Sequence, residues 1–120
     1  MLIGLPVLIN SVLKNTKAKV IFHIMWCADN ASLVSQYLSC FDIPNFDDKH
    51  MEIVEVQKYM SSTFWSYLEL TTKTHKQLGT CANILRLQAH QIFPNVDKVI
   101  WLDVDMVVQG MKVNFLFGTL

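Results

Sequence analysis

Apolar residues recur along the first part of the chain with helical spacing and then as a nearly unbroken run. From about residue 5 to residue 14 they fall three and four positions apart, Pro6 suits a first helical turn, and Asn15 suits its end. Residues 19–26 are almost continuously apolar and rich in β-branched and aromatic side chains, which is typical of a parallel strand covered on both faces. The pattern predicts a helix followed by a buried central strand.

A second helix and a second strand are predicted next. The helix covers about 31–41, with Asp29 or Asn30 as its cap. Residues 51–56 are typical of a strand, whereas 59–74 mixes aromatic, serine and threonine residues without a clean period and supports no assignment. The apolar face of the helix is predicted to consist of Leu33, Tyr37, Leu38 and Phe41.

The last part of the chain predicts one more helix and one more strand. Thr80 can cap a helix through 81–90 that ends before Pro94, and residues 98–104 then form an apolar strand. Alternating helices and apolar strands predict βαβ units, and therefore a mainly parallel sheet in a three-layer α/β/α sandwich. The apolar side of this helix is predicted to carry Ile84, Leu85 and Leu87.

The composition is that of a globular domain. The chain has 120 residues, of which 52% are apolar, and its ten basic side chains equal its ten acidic ones. A neutral balance provides no net field that would favour nucleic acid or an anionic membrane surface. No apolar stretch approaches the ~18 residues of a membrane span, and no signal peptide is recognisable. Any anionic ligand must therefore be bound by local groups.

The cysteines and histidines show no spacing that indicates a metal site. The three cysteines, Cys27, Cys40 and Cys81, lie far apart and are odd in number, so we expect buried, small apolar residues rather than a disulfide framework. The histidines are expected to serve in packing or at the surface. They are His23, His50, His75 and His90.

Two aspartates, Asp103 and Asp105, interrupt the apolar run 99–108. A carboxylate removed from water needs solvent, a cation or a proton. Residues i and i+2 of a strand point to the same side, about 6.6 Å apart, and oxygen ligands suit Mg²⁺ or Mn²⁺ with positions left for a diphosphate. An Asp-X-Asp triplet arises by chance in roughly a third of chains of this length. Its position inside the apolar run, rather than its presence, therefore carries the prediction.

The order of features around this triplet resembles the donor-site signature of glycosyltransferase family 8, the glycogenin and galactosyltransferase-like group. In that family a helix with an Asn and an Arg precedes a Pro-terminated loop and an apolar strand ending in Asp-X-Asp. Asn83, Arg86, Pro94 and residues 103–105 follow one another in this order here.

The resemblance extends upstream, where residues 6–23 are similar to the family's first helix and second strand. They contain the sequence Ser11-Val-Leu-Lys-Asn-Thr16, which resembles a recurrent family turn. The resemblance covers residues 5–110, whereas 111–120 departs from the family pattern.

The resemblance implies a GT-A fold and a retaining hexosyltransferase that uses a nucleotide-diphosphate sugar, expected to be a UDP-sugar, with Mn²⁺ or Mg²⁺. By position, Asp103 and Asp105 would bind the metal, and Asp103 would also lie near the ribose. Arg86 would lie beside the sugar or phosphates of the donor, and Asn83 would support the same pocket. The alternatives are a solvated helix arginine for Arg86 and an exposed or capping amide for Asn83. The donor sugar, the acceptor (glycan, lipid or protein) and the catalytic residue are left open.

Two parts of the family pattern are not recognisable in this sequence. They are a first strand that holds the nucleobase and an acceptor-binding half with a further metal-ligating histidine. We therefore expect residues 1–120 to form a single partial nucleotide-sugar-binding domain that is truncated at both ends, unstable and catalytically inactive in isolation. The compartment is left open between the Golgi membrane or lumen, for a eukaryotic protein, and the cytoplasm, for a bacterial one.

Two rival functions belong to other classes. A haloacid-dehalogenase-like, Mg²⁺-dependent phosphatase also has an apolar strand ending in Asp-X-Asp, but its motif opens the chain, whereas here only 15 residues follow Asp105. A non-catalytic pseudoenzyme fragment is the other rival. Metal-dependent binding of a UDP-sugar would distinguish the transferase from both.

Overall fold

The computed structural model describes residues 2–28, 30–56, 61–74, 81 and 85–109. β1 and β2 are neighbours in a parallel two-stranded sheet, and α2 lies between them in the chain. This βαβ arrangement confirms the predicted α/β class. Among the described residues, 3-10 turns lie at Asp48–His50 and Arg86–Gln88. The helices and strands with both ends in the described residues are α1 (Leu5–Asn15), β1 (Phe22–Trp26), α2 (Ser32–Ser39), β2 (Met51–Glu55), α3 (Ser62–Thr74) and α4 (Ala89–Ile92).

Helix α1 confirms the first predicted helix almost to the residue. Pro6 lies in the first turn, where its missing N–H costs no hydrogen bond, and the helix ends as Thr16 becomes extended. Lys14 lies in the last turn, where a positive charge is favourable for the helix dipole. One face of α1 is buried, and it includes a polar side chain, Ser11, among the apolar ones.

Helix α2 has the predicted position but a different cap and a different buried face. Ala31 is the N-cap and makes no side-chain cap bond, whereas Asn30 has a positive φ of 61° and its side chain accepts a hydrogen bond from the Ser32 hydroxyl. The other predicted cap, Asp29, lies outside the described residues. Val34 and Leu38, one turn apart, are the buried residues of α2.

The predicted apolar face of α2 was therefore right at Leu38 and wrong at Leu33 and Phe41, while Tyr37 is half-buried. Leu33 is 46% exposed because it belongs to the stripe next to the buried one. Phe41 follows the end of α2 and is also exposed; its ring packs edge-to-face on Tyr37, with the two ring centroids 5.0 Å apart. These aromatic side chains therefore cover each other locally.

The chain divides into two compact units, of which the first contains residues 1–24, 30–53 and 100–120. Its best-defined core cluster is formed by Leu8 and Val12 of α1 together with Val108. Val20, Phe22 and Leu102 pack against this cluster. Helix α1 therefore packs directly against the segment that follows the two aspartates.

The second unit contains residues 25–29 and 54–99. Helix α3, for which the sequence supported no assignment, lies in this unit. Its start is stabilised by Ser61, whose hydroxyl accepts a hydrogen bond from the Phe64 N–H at 3.2 Å. Near its end, Lys73 and Glu69 form an ion pair at 2.9 Å, and the hydrogen bond and charge of Lys73 lower the pKa of Glu69.

A disulfide joins Cys27 to Cys81 within the second unit. The prediction that these cysteines are buried apolar residues was wrong, and Cys40, which is free, is exposed rather than buried. The pairing escaped the sequence reasoning because the partners lie 54 positions apart and the total number of cysteines is odd. The bridge connects the residue after β1 with the start of the helical segment that precedes Pro94.

The helical segment before Pro94 is less regular than predicted. Cys81 and Leu85 are helical, Arg86–Gln88 is a 3-10 turn, and α4 ends at Ile92, which confirms the stop before the proline. Leu85 is 1% exposed, whereas Leu87 is 68% exposed, so the predicted placement of Leu87 on the apolar side was wrong. The 3-10 turn has three residues per turn instead of 3.6, which changes the direction of the side chains after Leu85. Ile84 and Thr80 lie outside the described residues.

No helix in the described part of the chain combines the length and the apolarity that crossing a membrane requires.

Candidate functional site

Asp103 and Asp105 lie in an exposed turn. The N–H of Met106 donates a hydrogen bond to the carbonyl of Asp103 at 3.1 Å, and both aspartates are exposed. The predicted strand at 98–104 was therefore wrong. In the described part of the chain the sheet consists of β1 and β2, so this segment has no ladder partner to hold it extended. Water reaches both carboxylates, and a single turn brings the two residues together.

The Asp103 side chain is held by a neighbour in the sequence. The indole N–H of Trp101 donates to the Asp103 carboxylate, with nitrogen and oxygen 3.0 Å apart. The backbone N–H of Asp103 donates to the Met106 sulfur at 3.4 Å, which supports the same turn. One carboxylate oxygen of Asp103 thus has a protein donor while the group remains open to solvent.

The turn packs against the start of helix α1. Gly4 is the N-cap of α1, with φ −79° and ψ −17°. A Cβ atom built on Gly4 would collide with the carbonyl oxygen of Val104 and would lie 3.4 Å from the Cα atom of Asp105. The backbone conformation of Gly4 is open to any residue, so its lack of a side chain matters here for space alone.

Beyond the turn, two polar side chains of α1 hold Val108. The N–H of Val108 donates to the Ser11 hydroxyl at 3.0 Å, and the carbonyl of Val108 accepts from the Asn15 side-chain amide at 2.9 Å. Both backbone groups of this buried residue are therefore satisfied by α1. Together with the contact at Gly4, these bonds fix the segment 104–108 along one helix.

Arg86 and Asn83, the other predicted donor-binding residues, precede α4 in the second unit. Arg86 is the first residue of the 3-10 turn and its side chain is exposed. Asn83 lies outside the described residues. The donor roles of both residues therefore stay predictions.

The histidines, apart from His75, which lies outside the described residues, are in packing or surface positions. His23 on β1 contacts Glu52 on β2, with Nδ1 and Oε2 2.9 Å apart, and His50 contacts Asp47 at 2.8 Å. His90 is exposed on α4. Within the described ranges, no group of three or more His, Cys, Asp or Glu side chains could enclose a metal ion.

The two aspartates nevertheless fit one kind of metal site. Mg²⁺ and Mn²⁺ prefer oxygen ligands, and Mg²⁺ commonly uses only one or two protein carboxylates while phosphates and water supply the rest. Two exposed carboxylates on one turn provide such a partial ligand set. A site that encloses the ion with protein ligands alone would need more.

Gly4, Ser11, Asn15 and Trp101 are the residues around the turn that the sequence did not indicate. Of these residues, Ser11 gives the clearest signal in the sequence, because it is a polar residue on the buried face of an amphipathic helix. Asn15 follows it one turn later on the same face. A buried hydroxyl needs a partner, so its position predicts a contact with another segment, although not which one.

Helices combined with a parallel sheet are consistent with an α/β fold of the GT-A type. The family model of glycosyl transferase family 8 matches residues 2–118. The chain therefore belongs to glycosyl transferase family 8, and the family resemblance noted in its sequence is confirmed. Comparisons with curated proteins and with solved structures gave no match.

Proposed function

We propose that this chain binds the nucleotide-diphosphate-sugar donor, a UDP-sugar, of a retaining hexosyltransferase, and that Asp103 and Asp105 hold a divalent cation there. The observation that carries the proposal is the exposed turn with two carboxylates in a chain that belongs to a glycosyltransferase family. Oxygen ligands and two open carboxylates favour Mn²⁺ or Mg²⁺ over zinc or copper. The match to a glycosyltransferase family gives no support to the alternative function, a haloacid-dehalogenase-like phosphatase.

Both the divalent cation and the protein side chains would contribute to donor binding. When bound, a divalent cation supplies positive charge that stabilises the departing nucleoside diphosphate. Asp103, held by the indole of Trp101, and Asp105 would orient the diphosphate through it. Arg86, with its exposed planar guanidinium, and Asn83 are proposed to contact the sugar or phosphates of the donor.

The disulfide supports an oxidising compartment for this protein. Disulfides persist in secretory compartments and are rare in the reducing cytosol. Cys27 and Cys81 are bonded, so a Golgi-type lumen agrees better with the structure than the cytoplasm does. We propose this location together with the donor-binding function.

The test is a titration of the 120-residue chain with Mn²⁺, and then with UDP in the presence and absence of Mn²⁺. We expect Mn²⁺ to bind and UDP binding to require it. Asp105→Asn keeps the shape of the side chain and removes its charge, so both affinities should fall about tenfold or more. Asp42→Asn, at another exposed carboxylate of the first unit, should leave them unchanged.

Two outcomes of this experiment would contradict the proposal. One is UDP binding that does not depend on the cation, and the other is equal Mn²⁺ affinity in Asp105→Asn and the unsubstituted chain. Absence of any binding would favour the inert pseudoenzyme fragment. Sugar transfer is a separate question, and we expect none from the isolated chain, which a radiolabelled UDP-sugar assay would check.

A further inference from the structure

Helix α1 contributes two hydrogen-bonding side chains to a segment that lies more than 90 positions away in the sequence. Ser11 accepts a hydrogen bond from the Val108 N–H, and the Asn15 amide donates one to the Val108 carbonyl. Asn15 also donates to the carbonyl of Ser11 at 2.8 Å. Because these two partners of the Asn15 amide nitrogen are carbonyl oxygens, they determine which end of the amide is the nitrogen.

The Ser11 hydroxyl is buried and uses both of its hydrogen-bonding capacities. It donates to the carbonyl of Leu8 at 2.7 Å while it accepts from Val108, and Ser11 is only 8% exposed. A serine inside a helix gives no propensity advantage over alanine. The bond to Val108 supplies a tertiary reason for a hydroxyl at this buried position.

The segment from Val104 to Val108 is only slightly longer than the part of α1 that it spans. Val104 contacts α1 at Gly4, and Val108 contacts it at Ser11, seven residues further along the helix. Seven residues of helix rise about 10 Å. The four residue steps from Val104 to Val108 reach at most about 13 Å when fully extended. A shift of Val108 is therefore transmitted to the turn rather than absorbed.

We infer that Ser11 and Asn15 are positioning residues that set the place of the Asp103–Asp105 turn on α1 through Val108. The inference rests on the proposed function, since it assumes that the turn holds a divalent cation. The hydrogen bonds of these two side chains described above go to Leu8, Ser11 and Val108, so we infer that their effect on cation binding passes through the backbone of 104–108.

The first measurement tests the contact itself, by amide hydrogen exchange at Val108 in the 120-residue chain. Ser11→Ala removes the acceptor of the Val108 N–H, and exchange should become about tenfold faster. Asn15→Asp keeps the shape of the side chain but replaces the donor by an acceptor, and it should also speed this exchange. Ser39→Ala is the matched control, because the Ser39 hydroxyl donates to the carbonyl of Gln36 three residues earlier and is exposed. It should change nothing at Val108.

The second measurement tests positioning, by titration of the same variants with Mn²⁺ at a temperature where each is folded. We expect Ser11→Ala and Asn15→Asp to weaken Mn²⁺ binding about threefold to tenfold. Ser39→Ala should bind like the unsubstituted chain. Ser11→Thr retains the hydroxyl and should recover most of the lost affinity if it folds.

The outcomes separate the inference from the proposal on which it rests. Faster exchange at Val108 with unchanged Mn²⁺ affinity would show that the two side chains only stabilise the fold, and would overturn the inference alone. Unchanged exchange at Val108 would also overturn it, since the contact would be absent. No Mn²⁺ binding by the unsubstituted chain would overturn the proposed function, and the positioning role would fall with it.

Discussion

Substitution of Gly4 by alanine tests whether the aspartate turn really packs on the start of helix α1. The added Cβ would collide with the carbonyl oxygen of Val104 and lie 3.0 Å from its carbonyl carbon and 3.4 Å from the Cα atom of Asp105. All three atoms belong to the backbone, so no side chain can rotate to make room. The turn or the helix end has to move.

The expected magnitude follows from two opposing effects. Overpacking a close contact costs about 1–3 kcal/mol. Alanine fits the backbone angles of Gly4, so the lower entropy of its unfolded chain returns about 0.4–1 kcal/mol. The difference runs from about 0 to 2.6 kcal/mol, and because the clash is with backbone atoms that cannot rotate away, we expect Gly4→Ala to lower the free energy of unfolding by the upper part of it, about 1–2.5 kcal/mol. If the turn holds the cation, Mn²⁺ affinity should fall as well.

Urea denaturation and Mn²⁺ titration measure these two effects. Val7→Ala is the control within the same helix, because Val7 is exposed and its truncation should change the free energy of unfolding by less than about 0.5 kcal/mol. A Gly4→Ala variant that is as stable as the unsubstituted chain, or more so, would refute the close packing of Val104 on Gly4. The turn would then have to lie elsewhere.

Two further predictions concern the Trp101 indole and the disulfide. Trp101→Phe removes the donor to Asp103, so Mn²⁺ affinity should fall up to about tenfold while the fold persists; equal or tighter binding in a titration would contradict an orienting role. Cys27→Ser opens the disulfide, which should lower the free energy of unfolding by about 2–4 kcal/mol in guanidinium denaturation. A reductant should destabilise the unsubstituted chain to the same extent and leave Cys27→Ser unaffected; no response to reductant would show that the bond does not form.

Local patterns in the sequence predicted the positions of α1, β1, α2 and β2 but not which residues are buried, because Val34 rather than Leu33 is buried on α2 and β1 is half-buried instead of a buried central strand. Helix α1 was predicted because its apolar positions keep a helical period and Pro6 marks its start, and β1 because it lies in a short apolar run of β-branched and aromatic residues. Helix α3 escaped because Tyr67 and Leu70 are exposed, which blurs the period of its apolar positions.

The segment that carries the aspartates shows the limit of periodicity as a guide. An apolar run such as 98–104 is compatible with a buried strand, but a strand exists only where another strand lies beside it. The identity of a partner is a long-range property that no local pattern contains. The sequence pointed to Asp103 and Asp105, whereas the turn that presents them depends on packing against α1.

Helix α1 was predicted from the sequence, whereas its contact with the segment that follows the aspartates was not. Its apolar face forms the core with Val108, and the same face carries Ser11, followed by Asn15 one turn later. A hydroxyl and an amide at these positions convert nonspecific packing into a fixed register, because hydrogen bonds require particular partners whereas apolar contacts tolerate sliding. From the sequence alone, the segment Ser11–Thr16 indicated only a resemblance to glycosyltransferase family 8. The structure gives this sequence a physical role, which is to hold the segment beyond the aspartates in one position along the helix.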